Sequence, residues 1–143
     1  MDAMTIEWQR GFETGFPEID DDHRRLVALV NDLDRILAAE SDLAGVGIVI
    51  DQLVAYADYH FQREEVMLKA VNYGDLDNHA EIHARFGQFL GGMIGDCMVT
   101  PSVPTIQSLR DYLQVWLVEH ILVEDMKYVA ALRGVIPGRM PSS

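Results

Sequence analysis

Between His60 and His83 the chain carries two pairs of potential metal ligands spaced four residues apart, His60 with Glu64 and His79 with His83. At roughly 100° per residue, the members of an i, i+4 pair leave a helix about 40° apart and one turn up, on the same face. Each pair can therefore grip a metal from one side. Between the pairs, Asn72-Tyr73-Gly74-Asp75 forms a turn cluster able to fold two helices back antiparallel. The rest of the chain must then supply helices that bury these polar faces and complete the site.

The other runs are helical as well. From about Asp20, with Asp20 or Asp21 as cap, His23, Leu26, Val27, Val30, Leu33 and Leu37 repeat at the three-then-four spacing of an amphipathic helix. Arg24, Arg25, Asp32 and Arg35 lie opposite, which puts His23 on the apolar face. After Glu40-Ser41-Asp42, a second run aligns Leu53, Tyr56, Ala57, His60, Glu64 and Met67, with Gly45 and Gly47 weakening its first turns. A third starts at Asp75 to Asp77, lines up His79, His83, Phe86 and Leu90, and is expected to fray or end at Gly91, Gly92 and Gly95. The fourth follows Thr100 to Thr105, with Ser102 as cap and Pro104 in the first turn. It aligns Ile106, Leu109, Leu113, Trp116, His120 and Val123 and should end before Gly134.

These readings predict an all-α, up-down-up-down four-helix bundle over residues 19–133. Residues 1–18, with Trp8, Phe12 and Phe16 too large and apolar for a solvated tail, are expected to form an arm packed on the bundle. Residues 134–143 read as a flexible tail.

With 143 residues, 49% of them hydrophobic, the chain can build a single core without disulfides, and the one cysteine, Cys97, reads as a small buried or half-buried thiol. A formal charge of -12 and scattered basic residues argue against nucleic-acid or anionic-membrane binding. No apolar run has the length of a membrane span or the form of a signal peptide, so the expected location is cytoplasmic. The sequence does not resolve monomer from homo-oligomer or name a protein partner.

All five histidines fall on apolar faces: His23, His60, His79, His83 and His120. One buried histidine is more often a core imidazole bonded to a neighbour than a ligand. Five together, in a core otherwise of Leu, Val, Ile and Met, are satisfied jointly by a shared metal centre. Five imidazoles and two carboxylates exceed what one tetrahedral zinc uses and suit two octahedral first-row ions, iron foremost. Glu64 is one carboxylate. For the other, spacing favours Glu124, four residues after His120, over Asp125, which an ideal helix places about 140° away.

The sequence resembles the hemerythrins, in particular the bacteriohemerythrins and hemerythrin-like domains, over about residues 6 to 132. The resemblance rests on Trp8, the Gly15-Phe16-Pro17-Glu18-Ile19-Asp20-Asp21-Asp22-His23 run, His60-Phe61-Gln62-Arg63-Glu64-Glu65, His79-Ala80-Glu81-Ile82-His83, and Trp116 to Asp125 with Tyr128. The family pattern of a first-helix histidine, HxxxE, HxxxH and HxxxxD is filled at every ligand position. The resemblance implies that His79, His83 and His120 bind one iron and that His23 and His60 bind the other. Glu64 and Asp125 would join the two, with an oxo or hydroxo bridge between the irons. It prefers Asp125 to Glu124, which requires a local helix distortion such as a one-turn bulge near Leu122 to Asp125.

By the same resemblance, the two-histidine iron has an open position for dioxygen, and the protein binds oxygen reversibly for storage, delivery or sensing. Leu26, Phe61, Trp116 and Ile121 are candidates for the dry pocket around it, though each also reads as bundle core. The alternative is a di-iron redox enzyme acting on peroxide or nitric oxide at that open site. Asp22 stands where a longer Gln or Glu is usual and Gly74 where proline is common, and neither is expected to touch a ligand. Glu65 reads as solvated or capping, Glu119 and Glu124 as surface carboxylates, and Tyr56, Tyr59 and Tyr128 as packing residues able to donate to ligands.

Overall fold

The computed structural model describes residues 5–39, 44–99 and 102–135. After a short 3₁₀ turn at Arg10–Phe12, the elements are α1 (Pro17–Ala39), α2 (Ala44–Ala70), α3 (Leu76–Val99), α4 (Val103–Glu119), a π-helical turn (His120–Asp125) and α5 (Met126–Val135). The turn and α5 continue α4. The molecule is thus the expected four-helix bundle, with α1 packed on α2 and α4, α2 on α3, and α3 on α4. Among the described residues there is no strand, and no helix is long and apolar enough to cross a membrane.

The apolar stripe of α1 is buried as its spacing predicts, from Leu26 through Leu33 to Leu37, with Leu33 fully enclosed. The helix begins at Pro17, earlier than expected, because proline suits the first position, where no N–H is needed. Asp20 is not a cap. It lies inside the first turn and reaches back to the arm, accepting from Thr14 N–H and Oγ1 (both 2.8 Å) and Gly15 N–H (3.3 Å). Gly15, at φ 90°, takes the left-handed backbone that swings the arm into α1. Phe12, which is buried, and Ile6 join the main apolar cluster.

The glycines of α2 and α3 do not set helix ends. Gly45 and Gly47 lie within α2, where Val46, Val49 and Ile50 anchor the first turns in the core. Likewise α3 runs through Gly91, Gly92 and Gly95 to Val99, because Leu90, Met93, Ile94 and Cys97 pack against the main cluster. Side-chain burial here outweighs roughly 1 kcal/mol of lost helix propensity per glycine. Cys97 is buried, and its thiol donates to the Thr105 carbonyl at 3.6 Å. Ser102 caps α4 in a reciprocal capping box with Thr105.

The turn between α2 and α3 closes as a Schellman motif. Tyr73 N–H donates to Leu68 O (2.9 Å) and Asn72 N–H to Lys69 O (3.1 Å), while Asn72 takes φ 58°. Gly74 keeps an ordinary φ, and a Cβ added to it meets nothing within 4 Å. Asn72 therefore makes the left-handed step and fixes the reversal. The expected loop at Glu40-Ser41-Asp42 and the tail beyond Val135 lie outside the described residues, and α5 itself carries the last helix past Gly134.

Two apolar clusters flank a polar layer. The larger includes Leu53, Ala57, Leu113 and Leu117; the smaller holds Leu68, Tyr128, Val129 and Leu132, with Phe16 and Tyr73 packed on it. Along α2 and the α4–α5 helix the buried polar residues lie between these plugs, so the fold seals them from solvent at both ends.

Candidate metal centre

Seven buried side chains converge in that layer. Two sets of ligand atoms lie mutually within 4.8 Å: Glu64, His79, His83, His120 and Asp125 in one, and His23, His60, Glu64 and Asp125 in the other. Glu64 and Asp125 belong to both. All seven sequence-predicted ligands are thus brought together, three histidines on one side of the shared carboxylates and two on the other.

The helix distortion anticipated near Leu122 to Asp125 is present as the π turn His120–Asp125. Bonding from i to i+5 widens the turn by one residue, so Asp125 takes the facing place that Glu124 would hold on a regular helix. Asp125 is fully buried, within 3.0 Å of His23 Nε2, 3.2 Å of His79 Nε2 and 3.1 Å of His120 Nε2. Glu124 instead faces outward and pairs with Lys127 at 3.2 Å. The same widening corrects another expectation, since Val123 is turned out to 51% exposure while Ile121 is wholly buried.

The donor geometry fits cations. His23 Nδ1 and Nε2, His60 Nε2, His120 Nδ1 and both Asp125 oxygens are buried without a hydrogen-bond partner, although several sit near 3 Å from an oppositely polarised atom. Of these atoms, His23 Nε2, His60 Nε2 and the Asp125 oxygens lie beside the shared carboxylates. His83 Nε2 and His120 Nε2 face each other at 3.1 Å, where two neutral acceptors would repel. Burying so many unpaired polar atoms is costly unless they share a positive charge. The donors are all nitrogen and oxygen, and the only cysteine lies elsewhere. This set suits octahedral first-row ions such as iron.

Around the centre, three further residues hold the ligands, and the sequence reading underrated each. Asp22 does touch a ligand: it is fully buried and accepts from His60 Nδ1–H (3.0 Å), Tyr56 O–H (2.8 Å) and both arms of the Arg63 guanidinium (3.0 Å each). Burial pushes the Asp22 carboxyl up, but His60, Arg63 and Tyr56 more than reverse this and hold it well below the usual carboxylate range. Glu65 is not merely solvated, because it accepts from His83 Nδ1–H at 2.7 Å. Tyr128, fully buried, donates to Glu64 Oε2 at 2.9 Å. Tyr59 is half exposed and stacks under Arg63.

Each carboxylate that receives a histidine Nδ1–H fixes the tautomer whose Nε2 lone pair points into the site. The signal for Asp22 and Glu65 lay in their adjacency to His23 and Glu64. Adjacent residues project about 100° apart, which places these carboxylates toward the neighbouring helix and its ligand.

Three of the four candidate oxygen-pocket residues, Leu26, Phe61 and Trp116, line one wholly apolar cavity of about 20 Å³. Ile121 is buried but is not among its walls. Phe61 stacks on His83 at 3.9 Å and Trp116 on His120 at 4.4 Å.

A buried layer of histidines around two shared carboxylates inside a four-helix bundle defines a metal-binding bundle protein. The model of the hemerythrin HHE cation binding domain matches residues 14–132, and the chain belongs to the hemerythrin family. It is 30% identical over 126 residues to a myohemerythrin of Theromyzon tessulatum, covering 88% of this chain and 92% of that one. A hemerythrin-like protein of Naegleria gruberi is 31% identical over 129 residues (89% and 93%). A bacteriohemerythrin of Pseudomonas aeruginosa is 30% identical over 137 residues (90% and 82%).

Protons compete for this site. Burial pulls the His79 imidazole down, but the Asp125 and Glu64 carboxylates beside it prevail and push it up to about 10. Burial and Asp125 push Glu64 up, yet His79, His83 and His60 bring it down to about 2. At neutral pH the metal-free site therefore holds imidazole protons that an incoming metal must expel. Metal affinity should tighten by about tenfold per pH unit for each proton displaced. Proton release on metal addition, followed with an indicator dye in weak buffer, checks this; uptake without release would contradict it. Stability of the metal-free protein should run the opposite way. The His79 contribution is fully present below 6.5 and is lost as pH rises through about 10.

Proposed function

We propose that this protein is a non-haem di-iron protein that binds dioxygen reversibly. His79, His83 and His120 would hold one iron, His23 and His60 the other, with Glu64 and Asp125 shared. The observation that carries this reading is the asymmetry of the two ligand sets, three histidines against two around the same carboxylates. It leaves the two-histidine side with fewer protein donors and hence room for an exogenous ligand. When bound, the iron pair supplies the electrons and coordination chemistry for dioxygen.

The protein's residues tune that chemistry. Five neutral imidazoles against two carboxylates stabilise high-valent iron less than a carboxylate-rich set, which favours carrying oxygen over activating it. Asp22 and Glu65 orient His60 and His83 through Nδ1, and Tyr128 pins one oxygen of Glu64. Phe61, Trp116 and Leu26 give an apolar surround that excludes water and protons. Myohemerythrin and bacteriohemerythrin relatives support the same reading by their names.

Metal analysis with an optical spectrum tests it. Two irons per chain are expected, and the ferrous protein should change spectrum in air and revert under argon over repeated cycles. Zinc, or one iron per chain, would overturn the di-iron reading. Rapid irreversible oxidation with turnover of peroxide or nitric oxide would move the site to redox catalysis. Phe61→Ala should hasten loss of the ferrous form in air by about tenfold, since it opens a water path to the site. An unchanged rate would count against Phe61 as a pocket wall.

A further inference from the structure

The π turn joins two helical faces that are each regular but out of step with one another. Leu113, Leu117, Ile121 and Asp125 are all buried although they follow at four-residue intervals. Each such step advances about 40° around a regular helix, so three of them would carry Asp125 roughly 120° from Leu113. The extra residue in the turn takes back about 100° of this drift and returns Asp125 to the buried side. Beyond it the face runs on regularly through Tyr128, Val129 and Leu132, which close with Leu68 into the smaller apolar cluster.

The alternative register is costly for identifiable residues. If His120 to Asp125 wound as a regular helix, α5 would rotate by about 100° and each buried place would pass to the preceding residue. Glu124 would take the place of Asp125, Lys127 that of Tyr128, Tyr128 that of Val129, and Ala131 that of Leu132. The Lys127 ammonium, now half exposed beside Glu124, would press into the apolar cluster, and Ala131 would leave unfilled the space that Leu132 occupies. Tyr128 would also give up its hydrogen bond to Glu64 Oε2. The outer side of the turn, Leu122 and Val123, is exposed and weighs little in this choice.

We propose that Leu132, two turns beyond the metal centre, is a positioning residue for Asp125: together with Val129 it fixes the rotation of α5, and that rotation selects Asp125 over Glu124. The role of Asp125 as a metal ligand rests on the proposed function; the control of helix register by the cluster under α5 does not. The cluster acts at a distance because a helix transmits rotation along its axis, so a side chain seated at one end sets which residue faces inward at the other.

Two changes test this in opposite directions. Deleting Val123 removes the extra residue, so α5 should keep its seat on a regular helix, and Asp125, then four places after His120, should still face the site. The deletion variant should bind as much iron as the wild type, and without metal it should melt no lower. Moving the anchor instead, with Ala131→Leu and Leu132→Ala together and Lys127→Ala to lift the charge penalty, should turn α5 toward the other register. In that triple variant Glu124→Ala should lower the affinity for ferrous iron, titrated under argon, by at least about tenfold, whereas in the wild type it should have no effect. Leu132→Met, which conserves volume, should leave Glu124→Ala silent. Lost iron or a lower melting temperature in the deletion variant would show that the turn itself, and not the cluster, sets the register. A silent Glu124→Ala in the triple variant would overturn the role of Leu132, and if that variant does not fold, the deletion decides alone. A wild-type chain that takes up no iron would sink the proposed function instead, and the melting comparison would still decide the register.

Discussion

Asp125→Ala should strip both metals from the protein, whereas Glu124→Ala should leave the metal content unchanged. Asp125 is fully buried and its oxygens stand within 3.2 Å of histidines from three helices, His23, His79 and His120. It belongs to both ligand sets, so its loss removes one donor from each and the charge that holds their cations together. Residues that merely support a ligand cost about 10- to 100-fold in affinity when lost, and a shared ligand should cost more. Glu124 shares only a surface contact with Lys127. Iron per chain after desalting, measured for both variants, decides the matter, and the reverse order would overturn the assignment of Asp125.

That comparison also marks how far the sequence is legible. Four helices, their buried faces and the convergence of five histidines follow from periodicity, because burial of an apolar stripe dominates helix placement. The choice between Glu124 and Asp125 does not follow from spacing, which assumes 3.6 residues per turn. The π turn at His120–Asp125 breaks that assumption and exposes Val123 as well. Resemblance to the family supplied what periodicity could not. The glycines of α3 misled in the opposite sense: local propensity predicts an end near Gly91, yet Leu90, Met93, Ile94 and Cys97 carry the helix on by packing. Asp22 and Glu65 were hidden for a third reason. An acidic residue beside a ligand reads as surface charge, and only the neighbouring helix shows which imidazole it meets.

Asp22→Ala should destabilise the protein and weaken the two-histidine metal selectively, leaving the three-histidine metal in place. Loss of Asp22 strands the Nδ1–H of buried His60, a cost of about 1–3 kcal/mol, while the half-buried Tyr56 hydroxyl turns to water. Arg63 adds little to that figure because it is 31% exposed and rehydrates. For the metal, the consequence is orientational: His60 loses the acceptor that fixes its tautomer and ring plane, so binding on that side should weaken about 10- to 100-fold. Asp22→Asn separates the two effects. Its amide oxygen still accepts from His60 Nδ1–H, but the uncharged group no longer balances the Arg63 fork, so metal binding should recover more than stability does. Chemical denaturation together with a metal titration resolving a tight and a weakened site measures both. Equal weakening of the two sites would show that Asp22 supports the bundle as a whole and not His60 in particular.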